Sequence, residues 1–162
     1  MKNISPEKMA RALEVYNKMI EAFVAKDVPF DRFDDDLVIK SQYKGQDFPI
    51  DFIFSVDPQK ECVTFLSDSF AEFPDDKLKD AAFATAVANF GMAFGHFDLN
   101  LSEGNVYYVM STSYIDSTLG EQFFFFMLAT ALSTADRYND RFFMLAKGMI
   151  DLQKFIELEG SD

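Results

Sequence analysis

Four consecutive phenylalanines, Phe123 to Phe126, restrict this chain more than any other feature. They lie in the stretch TLGEQFFFFMLATALSTADRYNDRFFML, from Thr118 to Leu145. There Phe124, Leu128, Leu132, Ala135, Tyr138, Phe142 and Leu145 recur at spacings of three and four. That is the period of one helix face. Thr118 with Glu121 three residues on has the pattern of a capping box, so the spacing predicts a helix starting at Thr118. Successive helical residues advance by about 100°, so a single sheet cannot cover all four rings. Structure must come to several sides of this helix, or part of it must meet a partner.

Helical periodicity continues through Met149, Leu152 and Ile156. A straight helix from Thr118 to Leu158 would be about 60 Å long, against a radius of gyration of roughly 15 Å for a compact domain of this size. It must bend, with Gly148 the natural place, or protrude.

The rest of the chain supplies the cover. Ser5 as N-cap, Pro6 at the first helical position and Glu7 in the first turn open an earlier helix. Met9, Leu13, Tyr16, Ile20 and Phe23 form its apolar stripe, and it ends near Lys26, ahead of Val28-Pro29. After the acidic run Asp31-Arg32-Phe33-Asp34-Asp35-Asp36 the period shortens to two. Leu37–Lys44, the alternation Ile50/Phe52/Phe54/Val56, and Cys62–Ser67 predict three strands, joined near Gly45 and by a type I turn at Asp57-Pro58-Gln59-Lys60. Both faces of this meander carry apolar residues. Ile53 lies opposite the Phe52/Phe54 face, and Val63 with Phe65 alternates against Cys62 and Leu66. Either something covers the second face or it binds a partner. A second helix follows Pro74-Asp75-Asp76, with Leu78, Ala82, Ala86 (or Val87) and Phe90 at helical spacing. Gly91 and Gly95 mark its exit. A hairpin, His96–Leu101 and Val106–Tyr114, turns at Ser102-Glu103-Gly104-Asn105. The order α-β-β-β-α-β-β-α predicts an α+β fold, an antiparallel sheet packed by helices with a long C-terminal helix, as a single domain over 1–162.

Charge narrows the partners. With 15 Lys and Arg against 27 Asp and Glu the net charge is −12, which disfavours phosphate backbones and anionic membrane surfaces. No apolar run approaches a membrane span and the N-terminus has no leader-like segment, so a cytoplasmic protein is expected. The single Cys62 is read as a small buried hydrophobe.

The residues offer no catalytic set. His96 is the lone histidine, and Cys62 with His96 has no sign of an activating environment. Asp34-Asp35-Asp36 lacks the alternating acids and glycine of a calcium loop and is read as a solvated run. Asp98 and Glu103 have no fixed separation. No phosphate-binding glycine motif is present. No cofactor and no metal are expected.

The element order, Ala88-Asn89 closing the second helix, Gly95-His96-Phe97-Asp98-Leu99-Asn100 opening the hairpin, and Ala135-Asp136-Arg137-Tyr138 with the later Gly148 resemble the YbjN family of bacterial proteins. The resemblance implies a fold like the type III secretion chaperones: small, acidic, commonly dimeric, and holding extended segments of a partner protein. It carries no catalytic residues. A non-enzymatic protein-binding module acting as a homodimer follows, with Phe123, Phe124, Phe125, Phe126, Phe142, Phe143, Ile53 and Phe65 as candidate interface residues. A receptor or enzyme with a Phe-lined pocket and polar groups such as Asp98, Tyr107 and Asn89 is the alternative, and a structural assembly module a third.

Overall fold

A computed structural model describes residues 4–160; readings for Met1–Asn3 and the last two residues lie outside this range. Helix α1 spans Pro6–Ala25, with the Ser5 side chain accepting from the Lys8 amide as its cap. The acidic run forms strand β1 (Asp31–Phe33) and one 3-10 turn (Asp34–Asp36). Strands β2 (Val38–Lys44), β3 (Pro49–Asp57) and β4 (Cys62–Ser67) form the antiparallel meander. A two-residue strand β5 (Ala71–Glu72) precedes helix α2 (Leu78–Asn89). The hairpin β6 (His96–Asn100) and β7 (Asn105–Ser113) leads into helix α3 (Glu121–Ala146), and α4 (Leu152–Glu159) closes the described chain.

All strand pairs are antiparallel. The meander β1-β2-β3-β4 joins the hairpin through β4 and β7. Because β6 occupies the other side of β7 at residues 105–109, β5 continues the track of β4 along β7. One sheet face, with Ile39, Phe52, Phe54, Val63, Phe65, Phe97, Val106 and Tyr108, is buried under the helices. Its rings interlock edge-to-face, as in Phe54 with Phe65 at 5.3 Å between centroids, the geometry that ring quadrupoles favour.

The long helix breaks where the glycine allows. Lys147 caps α3, Gly148 takes φ +70°, and Asp151 caps α4 by accepting from the Lys154 amide. The start moves as well. Leu119 turns into the core, so α3 begins at Glu121 behind Gly120, without the Thr118 side-chain cap. Lys77 donates to the carbonyl oxygens of Leu145 (3.0 Å) and Ala146 (3.3 Å) at the end of α3, where the Leu145 oxygen also accepts from the Gly148 amide (3.1 Å). Replacing it by methionine should lower stability by about 1–2 kcal/mol, read as a lower urea midpoint with unchanged slope; an unchanged midpoint would show that water serves those carbonyls equally well.

Periodicity chose the wrong face in α2 and a face rolled by about one position in α1. In α2 the buried residues are Ala81, Ala84, Thr85 and Ala88, while Ala82, Ala86 and Phe90 are exposed. Small side chains let α2 lie close against its neighbours, so the bulky stripe points outward. In α1 the face turned inward is Ala12, Val15, Tyr16, Met19, Ala22 and Phe23, leaving Met9 and Leu13 at the surface.

Candidate functional site: the uncovered sheet face

Strand alternation sends every second residue to the side that no helix covers. Register then lines them up in one row across the sheet: Asp31, Lys40, Ile53, Leu66, Val109 and His96. Ile53, Leu66 and Val109, in the middle, are half-buried, and Lys40 and His96, toward the ends, are exposed. A neighbouring row places Gln42 against Asp51, with a side-chain hydrogen bond of 2.7 Å, and Tyr107 against Asp98. On the other flank the hydroxyls of Thr64 and Ser111 lie 2.9 Å apart. A hollow of about 810 Å³ opens over part of this face, with Ile53, Leu66 and Tyr107 in its lining and Asp31, Asp51, Asp68 and Lys40 as its charged groups. Three acids to one base make it a shallow apolar floor with a negative rim.

The two sheet edges differ. At Phe97 the Asn89 side chain takes both outward backbone groups of β6, accepting from the amide at 2.7 Å and donating to the carbonyl at 3.0 Å. That closes the β6 edge to a further strand at this point. On the opposite side β1 pairs β2 only as far as Lys40, so among the described residues Ser41–Lys44 has no strand neighbour beyond β3. Asn89 thus serves the fold, and its role is legible only once β6 is seen beside α2.

The expected interface residues scatter. Ile53 lies on the uncovered face. Phe65 faces the core with no exposure, and Phe124 and Phe142 are likewise fully buried within the chain; these three cannot reach a partner. Phe123 is partly buried against the core, and Phe143 packs on Phe48 at 5.1 Å. Phe125 lies under the Lys26 ammonium at 4.7 Å, and Phe126, 42% exposed, meets Phe94 edge-on at 4.9 Å. The four rings of the run spread around α3: Phe123 and Phe124 meet edge-on at 5.9 Å between centroids, while Phe125 and Phe126 find separate neighbours.

Other candidates resolve similarly. Cys62 is half-buried on the uncovered face, and not a core hydrophobe. It pairs with Ser113, whereas His96 pairs with Val109, four residues away along β7, so thiol and imidazole are apart. Asp98 and Tyr107 share the uncovered face while Asn89 is bound to Phe97, so the three groups imagined around a pocket do not converge. Glu103 bonds to Asn100 and Asn105 within its own turn. Asp34 accepts from the Tyr16 hydroxyl at 2.8 Å and from Arg32, and these bonds hold its carboxyl below the usual range. Among the described residues no group of three or more His, Cys, Asp or Glu side chains is placed to hold a metal. No helix among them is long and apolar enough to cross a membrane.

Residues 16–144 match the family model YbjN, described as "Putative bacterial sensory transduction regulator". Three solved structures share the fold. A chain of the ExsC-ExsE complex superposes with a TM-score of 0.56 at 13% identity, covering 81% of this chain and 95% of that one. A chain of the HopA1-SchA chaperone-effector complex gives 0.56 at 13% identity, covering 82% and 95%. YbjN from E. coli gives 0.57 at 9% identity, covering 76% and 87%. No curated protein sequence matches.

Proposed function

Since this chain belongs to the YbjN family, and shares its fold with chains of the ExsC-ExsE complex and of a chaperone-effector complex, we propose that it is a non-enzymatic protein-binding module that holds a segment of a partner protein on its uncovered sheet face. The observation that carries this reading is the half-buried pair Ile53 and Leu66 on the floor of an acid-rimmed hollow, continued across the sheet by Val109. A half-buried apolar floor gains from being covered, and the rim selects a basic, amphipathic segment. The free β2 edge at Ser41–Lys44 gives such a segment a place to add as a strand.

The module acts as a homodimer through the outer face of α2. Phe83 is 63% and Phe90 91% exposed there, with Ala86 between them and Ala82 beside Phe83. A self-complementary apolar stripe of this kind suits a two-fold contact. The chain works as one domain, in the cytoplasm, where the unpaired thiol of Cys62 stays reduced.

The test uses the full chain as bait in extract of its native cell, beside an Ile53→Asp/Leu66→Asp variant whose fold is confirmed by circular dichroism. A specific protein partner lost in the variant supports the reading; a partner retained, or none recovered, overturns it. Light scattering should give a dimer that Phe83→Asp/Phe90→Asp converts to monomer. A wild-type monomer at micromolar concentration overturns the dimer alone.

A further inference from the structure

A second concavity, of about 450 Å³, lies between the C-terminal end of α1, the end of β2 and the first half of α3. Its walls are apolar: Val28, Tyr43, Phe52, Phe125, Leu128 and Leu132. The volume falls in the range of small-molecule sites. It adjoins the sheet-face hollow, sharing Pro29, Gln42 and Phe52 with it, but its chemistry is opposite. The charged residues lining it are Lys26, Lys44 and one acid, Asp27. In a chain with 27 acidic side chains, neither lysine has a carboxylate within ion-pair distance among the described residues. Lys26 instead rests its ammonium over the Phe125 ring, at 4.7 Å from the centroid, which holds the charge beside the apolar wall.

We propose that this groove binds an anionic amphiphile, a medium-chain alkyl carboxylate whose chain lies along Phe125, Leu128 and Leu132 and whose carboxylate meets Lys26 and Lys44. An aliphatic chain suits the walls better than a peptide. A peptide's amides would find partners only along the open β2 edge at Gln42–Lys44, whereas the α3 wall of Phe125, Leu128 and Leu132 would desolvate the rest. The head group follows from the two lysines, a local inversion of the protein's overall sign. This inference does not rest on the reading of the sheet face.

The experiment is calorimetric titration of the full chain with sodium octanoate, decanoate and dodecanoate below their micelle concentrations, and with decyltrimethylammonium at matched chain length. The expected result is one site per chain, with affinity rising about fourfold per added methylene until the groove is full. Decanoate should bind at least tenfold more tightly than the cation. Non-specific adsorption to a protein of net charge −12 would favour the cation, and that outcome overturns the proposal. Lys26→Glu/Lys44→Glu should reverse the preference. Ala129→Trp, which adds bulk at an exposed α3 position in the lining, should abolish binding of both. Unchanged decanoate binding in either variant overturns the proposal, as does binding only to anionic phospholipid vesicles and not to the monomeric carboxylate.

Discussion

Raising the pH from about 9 to about 12 is expected to unfold this protein cooperatively. Burial is the main reason that Tyr16, Tyr114 and Tyr138 are each pushed up to about 12. Their hydroxyls also serve as donors: Tyr16 to Asp34 at 2.8 Å, Tyr114 to the Asp57 carbonyl at 3.2 Å, and Tyr138 to the Glu159 carboxylate. Ionisation would remove each donor and set a phenolate against an acceptor. Tyr108, which donates to the Phe94 carbonyl, is raised in the same direction by burial. The folded values lie above the unfolded value near 10, so the unfolded chain releases these protons first. The stabilisation is complete below about pH 10 and is lost as pH rises through 12. Two pH units correspond to at most about 3 kcal/mol for each group, and less after solvent screening, so the three together take a substantial share of a typical domain's roughly 5–15 kcal/mol. Phenolate absorbance and far-ultraviolet dichroism should change together in one steep step. Lysines also discharge in this range, and Tyr→Phe variants at 16, 114 and 138 separate the two causes by moving the midpoint upward. Phenols that titrate near pH 10 in an intact fold would refute the expectation.

The second large effect is at Phe97. Its ring is 1% exposed and lies 4.9 Å from that of Tyr138, 5.0 Å from Phe142 and 5.2 Å from Tyr108, measured between centroids. It joins β6, β7 and α3 in one cluster, and the Asn89 clamp fixes its backbone. Phe97→Ala should therefore cost about 3–5 kcal/mol, transfer and cavity together, and lower the melting temperature by roughly 10–15 °C for a chain of this length. Phe90→Ala, seven residues earlier and 91% exposed, should stay within about 0.5 kcal/mol in the monomer. Equal losses at the two positions would show that the hairpin is not packed on α3 as described.

These two phenylalanines show where the sequence is a good guide and where it is not. Alternation put Phe97 on one side of a strand, and the strand has only two sides. In α2, Phe90 belonged to a plausible stripe, yet the alanine face lies inward. A helix can be rolled about its axis, and hydrophobicity alone does not say whether bulk or close approach wins. The Phe123–Phe126 run was informative about the number of neighbours α3 needs and uninformative about which ones. Ile53 stayed a surface candidate because strand parity is local, whereas the burial of Phe65, Phe124 and Phe142 depends on what the chain lays over them.

By itself, the sequence determined the order of the main elements, the antiparallel meander and hairpin, Gly148 as the place where the last helix would bend if it bent, and the acidity of the surface. Each follows from local periodicity, turn chemistry or composition. Tertiary structure alone decided that the helices gather on one sheet face, that Asn89 closes one edge while β2 leaves the other open, and that two lysines meet an apolar groove. Those outcomes are set by contacts between residues far apart in the chain. Lys26 and Lys44, one at the end of a helix and one at the end of a strand, acquire a common purpose only when the fold brings them to the same groove.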